Sequence, residues 1–169
     1  MFVLKKKYIL IIENIKDIKL SNIKKKNKFI IIYRSQRPKD NLSELLNFRK
    51  ICKSKKIKLF IANDLNLSMK IKSDGIYISA GNYELRYAHY KRPNFEIIGS
   101  AHNIKEINIK KKQRCSEIIY SRLFRTSYKY KDGYLGTIKF NLLNHKNQNK
   151  LLPLGGIRFV NLNNLKIIN

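Results

Sequence analysis

The chain has 169 residues, a formal net charge of +26 and a pI near 10.2. That length implies one domain, residues 1–169, long enough to bury an apolar core without disulfides or metals. Charge alone would point to nucleic acid or an anionic membrane. However, Ile, Lys and Asn, whose codons are all A/T-rich, make up 73 of the 169 residues, and Lys outnumbers Arg 28 to 9. Selective phosphate and base recognition leans on the planar Arg fork, so the excess charge reads as compositional drift on solvated faces. With no aromatic-basic motif or groove-reading helix, nucleic acid is not an expected partner.

The two cysteines, Cys52 and Cys115, have no metal-ligand spacing and make no disulfide framework, which fits a reducing cytoplasm. Apolar runs such as Phe29 to Tyr33 fall far short of the ~18 residues of a membrane span. The basic start, Met1 to Lys7, is followed by an apolar run, Tyr8 to Ile12, too short for a secretory core. Neither a membrane span nor an export signal is expected.

Along the chain, short, continuously apolar, Ile-rich runs recur. They are Tyr8 to Ile12, Phe29 to Tyr33, Ile57 to Ala62, Gly75 to Ser79, Phe95 to Gly99, Glu117 to Ser121 and Leu151 to Gly155. Runs without strict alternation read as strands buried on both faces, as a parallel sheet requires. Their starts advance by about 24 positions, room for a strand, a helix and two short loops.

The clearest helix is Asn41 to Lys55, with Leu42, Leu45, Leu46, Phe48, Ile51 and Cys52 as its apolar stripe. Pro38, Asp40 and Asn41 punctuate its start. Weaker helices are expected at Ile104 to Lys112 and Leu135 to Leu143. After the seventh run, Gly155-Gly156-Ile157 leads into a polar stretch with Leu162 and Leu165, consistent with a seventh helix. Seven βα units imply a parallel α/β architecture, and periodicity leaves an open doubly wound sheet and a closed barrel equally admissible. The Lys24 to Lys26 and Lys110 to Lys112 runs read as solvated faces.

Ligands of parallel α/β folds bind at the carboxyl ends of the strands. There the runs end in Arg34, in Asn63-Asp64, in Ser79 to Asn82, in Ser100-Ala101-His102, in Arg122 to Lys129 and in Gly155-Gly156. Arg34, Arg122 and Arg125 are three of only nine Arg, as expected of placed anion ligands. Each position also has a plainer explanation. Asp64 suits a helix cap, His102 a structural hydrogen bond, Gly155-Gly156 a tight turn, and Tyr128 with Tyr130 a cover over the strand ends.

Five of these segments fall in a familiar order. Phe60-Ile61-Ala62-Asn63-Asp64 and Asp74-Gly75-Ile76-Tyr77-Ile78 are similar to an Asn-Asp motif and an Asp-Gly-Val-His-Leu motif of the thiamine phosphate synthase family and its TenI relatives. Ile97-Ile98-Gly99-Ser100-Ala101-His102 resembles its Ile-Gly-x-Ser-x-His, Leu123 to Lys129 its Ile-Phe-Pro-Thr-x-Thr-Lys, and Leu154-Gly155-Gly156-Ile157 its Ile-Gly-Gly-Ile.

The resemblance implies a (β/α)8 barrel of TIM type, here incomplete, with seven βα units and strand 8 missing. It also implies a transferase that joins a pyrimidine methyl pyrophosphate to a thiazole phosphate with Mg²⁺ assistance, releasing pyrophosphate. By the same resemblance Arg34, Asn63, Thr126 and Lys129 hold pyrophosphate and Asp64 binds Mg²⁺. Ser100 lies near the pyrimidine, Ser100 and Lys129 act in catalysis, and Gly155 with Gly156 takes the thiazole phosphate. A phosphorylated small molecule is thus the expected partner, with the oligomeric state left open.

The sequence departs from the family at several of these positions. Ser35-Gln36 stand where a Lys should follow Arg34, Asn82 replaces the second metal carboxylate, and Tyr128 replaces the second loop Thr. Arg122 stands where tautomerase relatives carry His. Two classes of function therefore stay open: an enzyme of thiamine biosynthesis, and a catalytically impaired relative that binds a phosphorylated ligand or a protein.

Overall fold

The computed structural model describes residues 8–23, 28–35, 40–126, 133–147, 150–158, 160–161 and 163–164. Seven strands alternate with helices: β1 (Tyr8–Ile12), β2 (Phe29–Tyr33), α1 (Leu42–Ser54), β3 (Lys58–Ala62), α2 (Leu65–Lys70), β4 (Gly75–Ile78), β5 (Glu96–Ala101), α3 (Ile104–Lys112), β6 (Glu117–Ser121), α4 (Thr137–His145) and β7 (Lys150–Leu154). The described residues fall into two compact units, one within Met1–Tyr77 and Lys91–Glu96, the other within Ile78–Tyr90 and Ile97–Asn169.

In the first unit the strands pair parallel in chain order, β1 to β2 to β3 to β4, with Ile11 beside Ile32 and Ile32 beside Phe60. A doubly wound sheet would reverse direction after its first strands; sequential order is the barrel-type solution. Ile30 to Tyr33 and Leu59 to Ile61 are almost wholly buried, as strands covered on both faces must be.

Helix α1 seals this core through Leu45, Phe48 and Cys52, spaced i, i+3 and i+7. Its start is a capping box: Asn41 Oδ1 accepts from Ser43 N at 3.1 Å and Glu44 Oε2 from Asn41 N at 3.3 Å. The expected stripe was too wide. Leu42, Leu46 and Ile51 flank the buried seam and stay about two-fifths exposed.

Asp74, just before β4, binds the unit together. Its carboxylate accepts from Arg49 Nη2 of α1 at 2.7 Å and from Leu59 N of β3 at 2.8 Å, while its carbonyl accepts from Glu96 N. Arg92 donates to the Ser73 carbonyl and stacks over Phe95, 4.6 Å from the ring centre.

In the second unit β5, β6 and β7 pair parallel in order, Ser100 beside Ile119 and Ile119 beside Leu152. Here α3 spans the expected residues, capped by Asn103 Oδ1 on Glu106 N. Its lysines divide. Lys112 is exposed, but Lys110 is fully buried, against the expectation of a solvated face. The reason is helical phase: Lys110 follows Ile107 by three residues and shares its buried side. Helix α4 begins two residues later than expected, because Gly136, at φ +74, forms its N-cap. The short helix α2 stands where a cap at Asp64 allows one, whereas the 3₁₀ turn Leu85–His89 was not anticipated, being too brief for periodicity to register. The Lys24 to Lys26 run and Leu162 with Leu165 lie outside the described residues.

Two tests follow from this packing. A Cβ at Gly75 would lie 2.1 Å from the Glu96 carbonyl oxygen and 2.4 Å from the Phe60 ring, so Gly75→Ala should destabilise by about 1–3 kcal/mol in urea unfolding. Burial pushes the thiols of Cys52 and Cys115 up to about 12, and both are essentially unexposed. A thiolate-selective reagent at neutral pH should therefore label neither in the native protein, with mass spectrometry showing labelling only as fast as unfolding exposes them.

Candidate functional site

The carboxyl ends of the strands carry the residues singled out by sequence. In the first unit β2 ends in Tyr33, Arg34 and Ser35. Arg34 N donates to Ile12 O at 2.8 Å, fixing the backbone while the side chain stands exposed. Tyr33 beside it is buried, and burial, reinforced by the nearby Asp40, pushes its phenol up to about 12.

After β3 the chain turns sharply. Asn63 takes φ +58, a left-handed conformation that Asn tolerates better than most residues, while its N–H donates to Tyr77 O at 2.9 Å. That turn delivers Asp64 to the start of α2, where Oδ1 accepts from Leu67 N at 2.9 Å. Asp64 thus caps a helix, as its position after a strand suggests. It also lines a cleft of about 270 Å³ with Asp40, Leu42, Leu45, Asn66, Leu67 and Lys70; Arg34 and Asn63 are not among the lining residues.

In the second unit Ser100 is buried near the end of β5. Two residues on, His102 Nδ1 lies 2.8 Å from Ser121 Oγ and 3.2 Å from Ser121 O at the end of β6, and its carbonyl accepts from Tyr120 OH at 3.0 Å. Sequence alone gave no sign of this Ser–His pair, because its members are 19 residues apart. The segment after β6 is laced to β7: Leu123 N donates to Leu154 O at 2.9 Å and Phe124 N to Gly155 O at 3.0 Å.

Gly155 and Gly156 both adopt positive φ, +97 and +67. A Cβ at Gly156 would lie 2.5 Å from Phe124 O, and one at Gly155 would lie 3.2 Å from the Cα, Cβ and Cγ of Arg122. A side chain would be strained at both positions by the positive φ, and at Gly156 by backbone contact as well, and the turn they make lies against the Arg122 to Arg125 segment that leads to Thr126. Thr126 is half-buried; Lys129, with Tyr128 and Tyr130, lies outside the described residues.

The residues expected to hold Mg²⁺ do not form a carboxylate pair. Asp64 is the one acid among them and caps α2. Asn82 Oδ1 accepts from Glu84 N at 3.0 Å and its Nδ2 donates to Tyr87 OH at 3.1 Å, while the Glu84 carboxylate pairs with Arg86 at 2.6 Å. Among the described residues no group of three or more His, Cys, Asp or Glu could hold a metal ion.

The sequence reading also missed Lys110 and Gln113, two buried polar side chains of the α3 end that reach the loop after β4. The signal was present in the spacing of Lys110 from Ile107, hidden by the run of lysines around it.

With this geometry established, comparison with known proteins is specific. A profile described as thiamine monophosphate synthase matches residues 7–168. The chain is 28% identical over 129 residues to a thiamine-phosphate synthase of Prochlorococcus marinus subsp. pastoris, covering 76% of this chain and 37% of that protein. It is 29% identical over 141 residues to the thiamine-phosphate synthase of a second Prochlorococcus marinus strain, covering 81% and 40%. The chain thus spans about two-fifths of the length of these curated relatives. Among solved structures, a thiamine phosphate pyrophosphorylase from Pyrococcus furiosus aligns with a TM-score of 0.63 at 16% identity, over 82% of this chain and 68% of that one. That likeness shows the fold to be of TIM-barrel type. Since the matched profile runs through every strand end described above, this chain belongs to the thiamine monophosphate synthase family.

Proposed function

We propose that this chain serves thiamine biosynthesis as a synthase-type transferase, joining a pyrimidine methyl pyrophosphate to a thiazole phosphate and releasing pyrophosphate. The observation that carries this reading is the family match over residues 7–168, with Asn63, Ser100, Thr126 and the Gly155-Gly156 turn all at the carboxyl ends of strands, the ligand end of parallel α/β folds. On this reading the phosphorylated substrates are small molecules and the reaction belongs in the cytoplasm. No helix among the described residues is long and apolar enough to cross a membrane.

The chemistry asks for charge stabilisation more than for proton transfer. The bond between the pyrimidine methylene and pyrophosphate oxygen breaks, its electron pair leaves on pyrophosphate, and a new bond to the thiazole replaces it. Cations and hydrogen-bond donors aimed at the leaving group lower that barrier. Arg34 supplies a two-pronged guanidinium, Thr126 a hydroxyl, Lys129 an ammonium and Asn63 an amide. Ser100 contributes a buried hydroxyl beside the pyrimidine. Gly155 and Gly156, lacking side chains, bring backbone N–H groups within reach of the thiazole phosphate.

Pyrophosphate binding at roughly physiological salt tests the assignment. Arg34→Ala and Lys129→Ala should each cost about 1.5–3 kcal/mol, the worth of a charge-assisted hydrogen bond. A control replacing the exposed Lys105 and Lys112 should change little, because diffuse attraction is screened by salt. Calorimetry showing equal losses in all three variants would reduce the binding to nonspecific electrostatics and end this reading.

A further inference from the structure

Lys110 is a fully buried lysine. Its ammonium donates to the backbone carbonyl of Asn82 at 2.7 Å and to Gln113 Oε1 at 3.0 Å. Gln113, also fully buried, donates from Nε2 to the same Asn82 carbonyl and to that of Glu84, both at 2.9 Å. Two side chains from the end of α3 thus grip two backbone carbonyls, two residues apart, of the loop that follows β4.

The loop answers from its own side. Asn82 N donates to Ser79 O at 3.0 Å, and the Asn82 amide spans Glu84 N and the hydroxyl of the buried Tyr87. Room for the lysine comes from β5, where a Cβ at Gly99 would lie 2.8 Å from Lys110 Cδ and 2.8 Å from Cys115 Sγ.

Burying an ammonium is expensive, and an apolar residue of similar length would fill the same space without the desolvation penalty. Retaining the charge makes sense if the charge does something. The loop it holds follows a strand carboxyl end, where ligands bind, and it carries Asn82, the position at which the family resemblance places a metal-binding carboxylate.

We propose that Lys110, with Gln113, is the positioning pair of this loop: a protein-borne cation presets the ligand-facing turn around Asn82. Lys110 touches no reacting atom and acts through the loop. The identity of the ligand rests on the reading in the preceding subsection; the preset loop does not.

Hydrogen exchange followed by mass spectrometry, on the free protein, reads the loop directly. In Lys110→Met the amides of residues 82–90 should exchange about ten-fold faster or more, as expected for loss of a charge-assisted hydrogen bond. The amides of β5 and β6 should keep their protection, since methionine fills the space of the lysine stem against Gly99. Pyrophosphate affinity should fall by about ten-fold in the same variant. Should Lys110→Met fail to fold, Gln113→Met removes the second grip while leaving the ammonium, and the same local loss is expected. Unchanged exchange at 82–90, or faster exchange spread evenly over the unit, would overturn the proposal. Local loosening with pyrophosphate affinity intact would overturn the link from loop to ligand, while the Arg34 and Lys129 variants decide the functional reading separately.

Discussion

A parallel strand covered on both faces has no place for a polar side chain except at its two ends, and this constraint sorts the polar residues of the whole chain. The amino ends are used for cohesion. Lys58 at the start of β3 pairs with Glu96 at the start of β5, Arg49 with Asp74 just before β4, and Lys150 at the start of β7 lies 3.8 Å from Glu117 at the start of β6. The carboxyl ends carry Arg34, Asn63, Ser100, His102 and the Gly155-Gly156 turn. In barrel folds generally the amino-end face keeps the fold and the carboxyl-end face carries the ligands.

Within the cohesive end, Asp74 matters more than a surface ion pair would. Its partner Arg49 is only 14% exposed, and the carboxylate also accepts a backbone N–H. Charge-assisted bonds of this kind, partly sheltered from water, contribute where exposed pairs contribute almost nothing. Gly75 follows immediately because β4 must pass against Phe60 and the Glu96 carbonyl with no side chain between.

The large positive charge has two physical meanings in one chain. Among the described residues most lysines are exposed and their charge is diffuse, whereas Lys110 is fully buried, with its stem against Gly99 and its ammonium donating to a carbonyl. Burial lowers its tendency to hold a proton, with the fields of Cys115 and Glu106 acting the other way. A charge kept in such a place narrows the conformations open to its partners, here the turn around Asn82.

Much of this protein was legible without coordinates. The seven strands follow from Ile-rich runs at regular spacing, because continuous apolarity over five or six residues suits only a strand covered on both sides. Helix α1 follows from its apolar stripe and the capping residues at its start, and the motif order from Asn63 to Gly156 points to the family. Local patterns register these features because each depends on residues near one another in the chain.

What the tertiary structure decided is everything that depends on residues far apart. The sequential parallel order within each unit separates barrel-type winding from a doubly wound sheet, a distinction periodicity does not encode. The pairing of His102 with Ser121 and the grip of Lys110 on Asn82 join residues 19 and 28 positions apart. Asp64 is a helix cap in its local structure, and its carboxylate finds no acidic partner in the amide of Asn82, which is bound within its own loop. Composition placed Lys110 on a solvated face with its neighbours; helix phase against β5 placed it inside, because a helix buries one side whatever residues stand there.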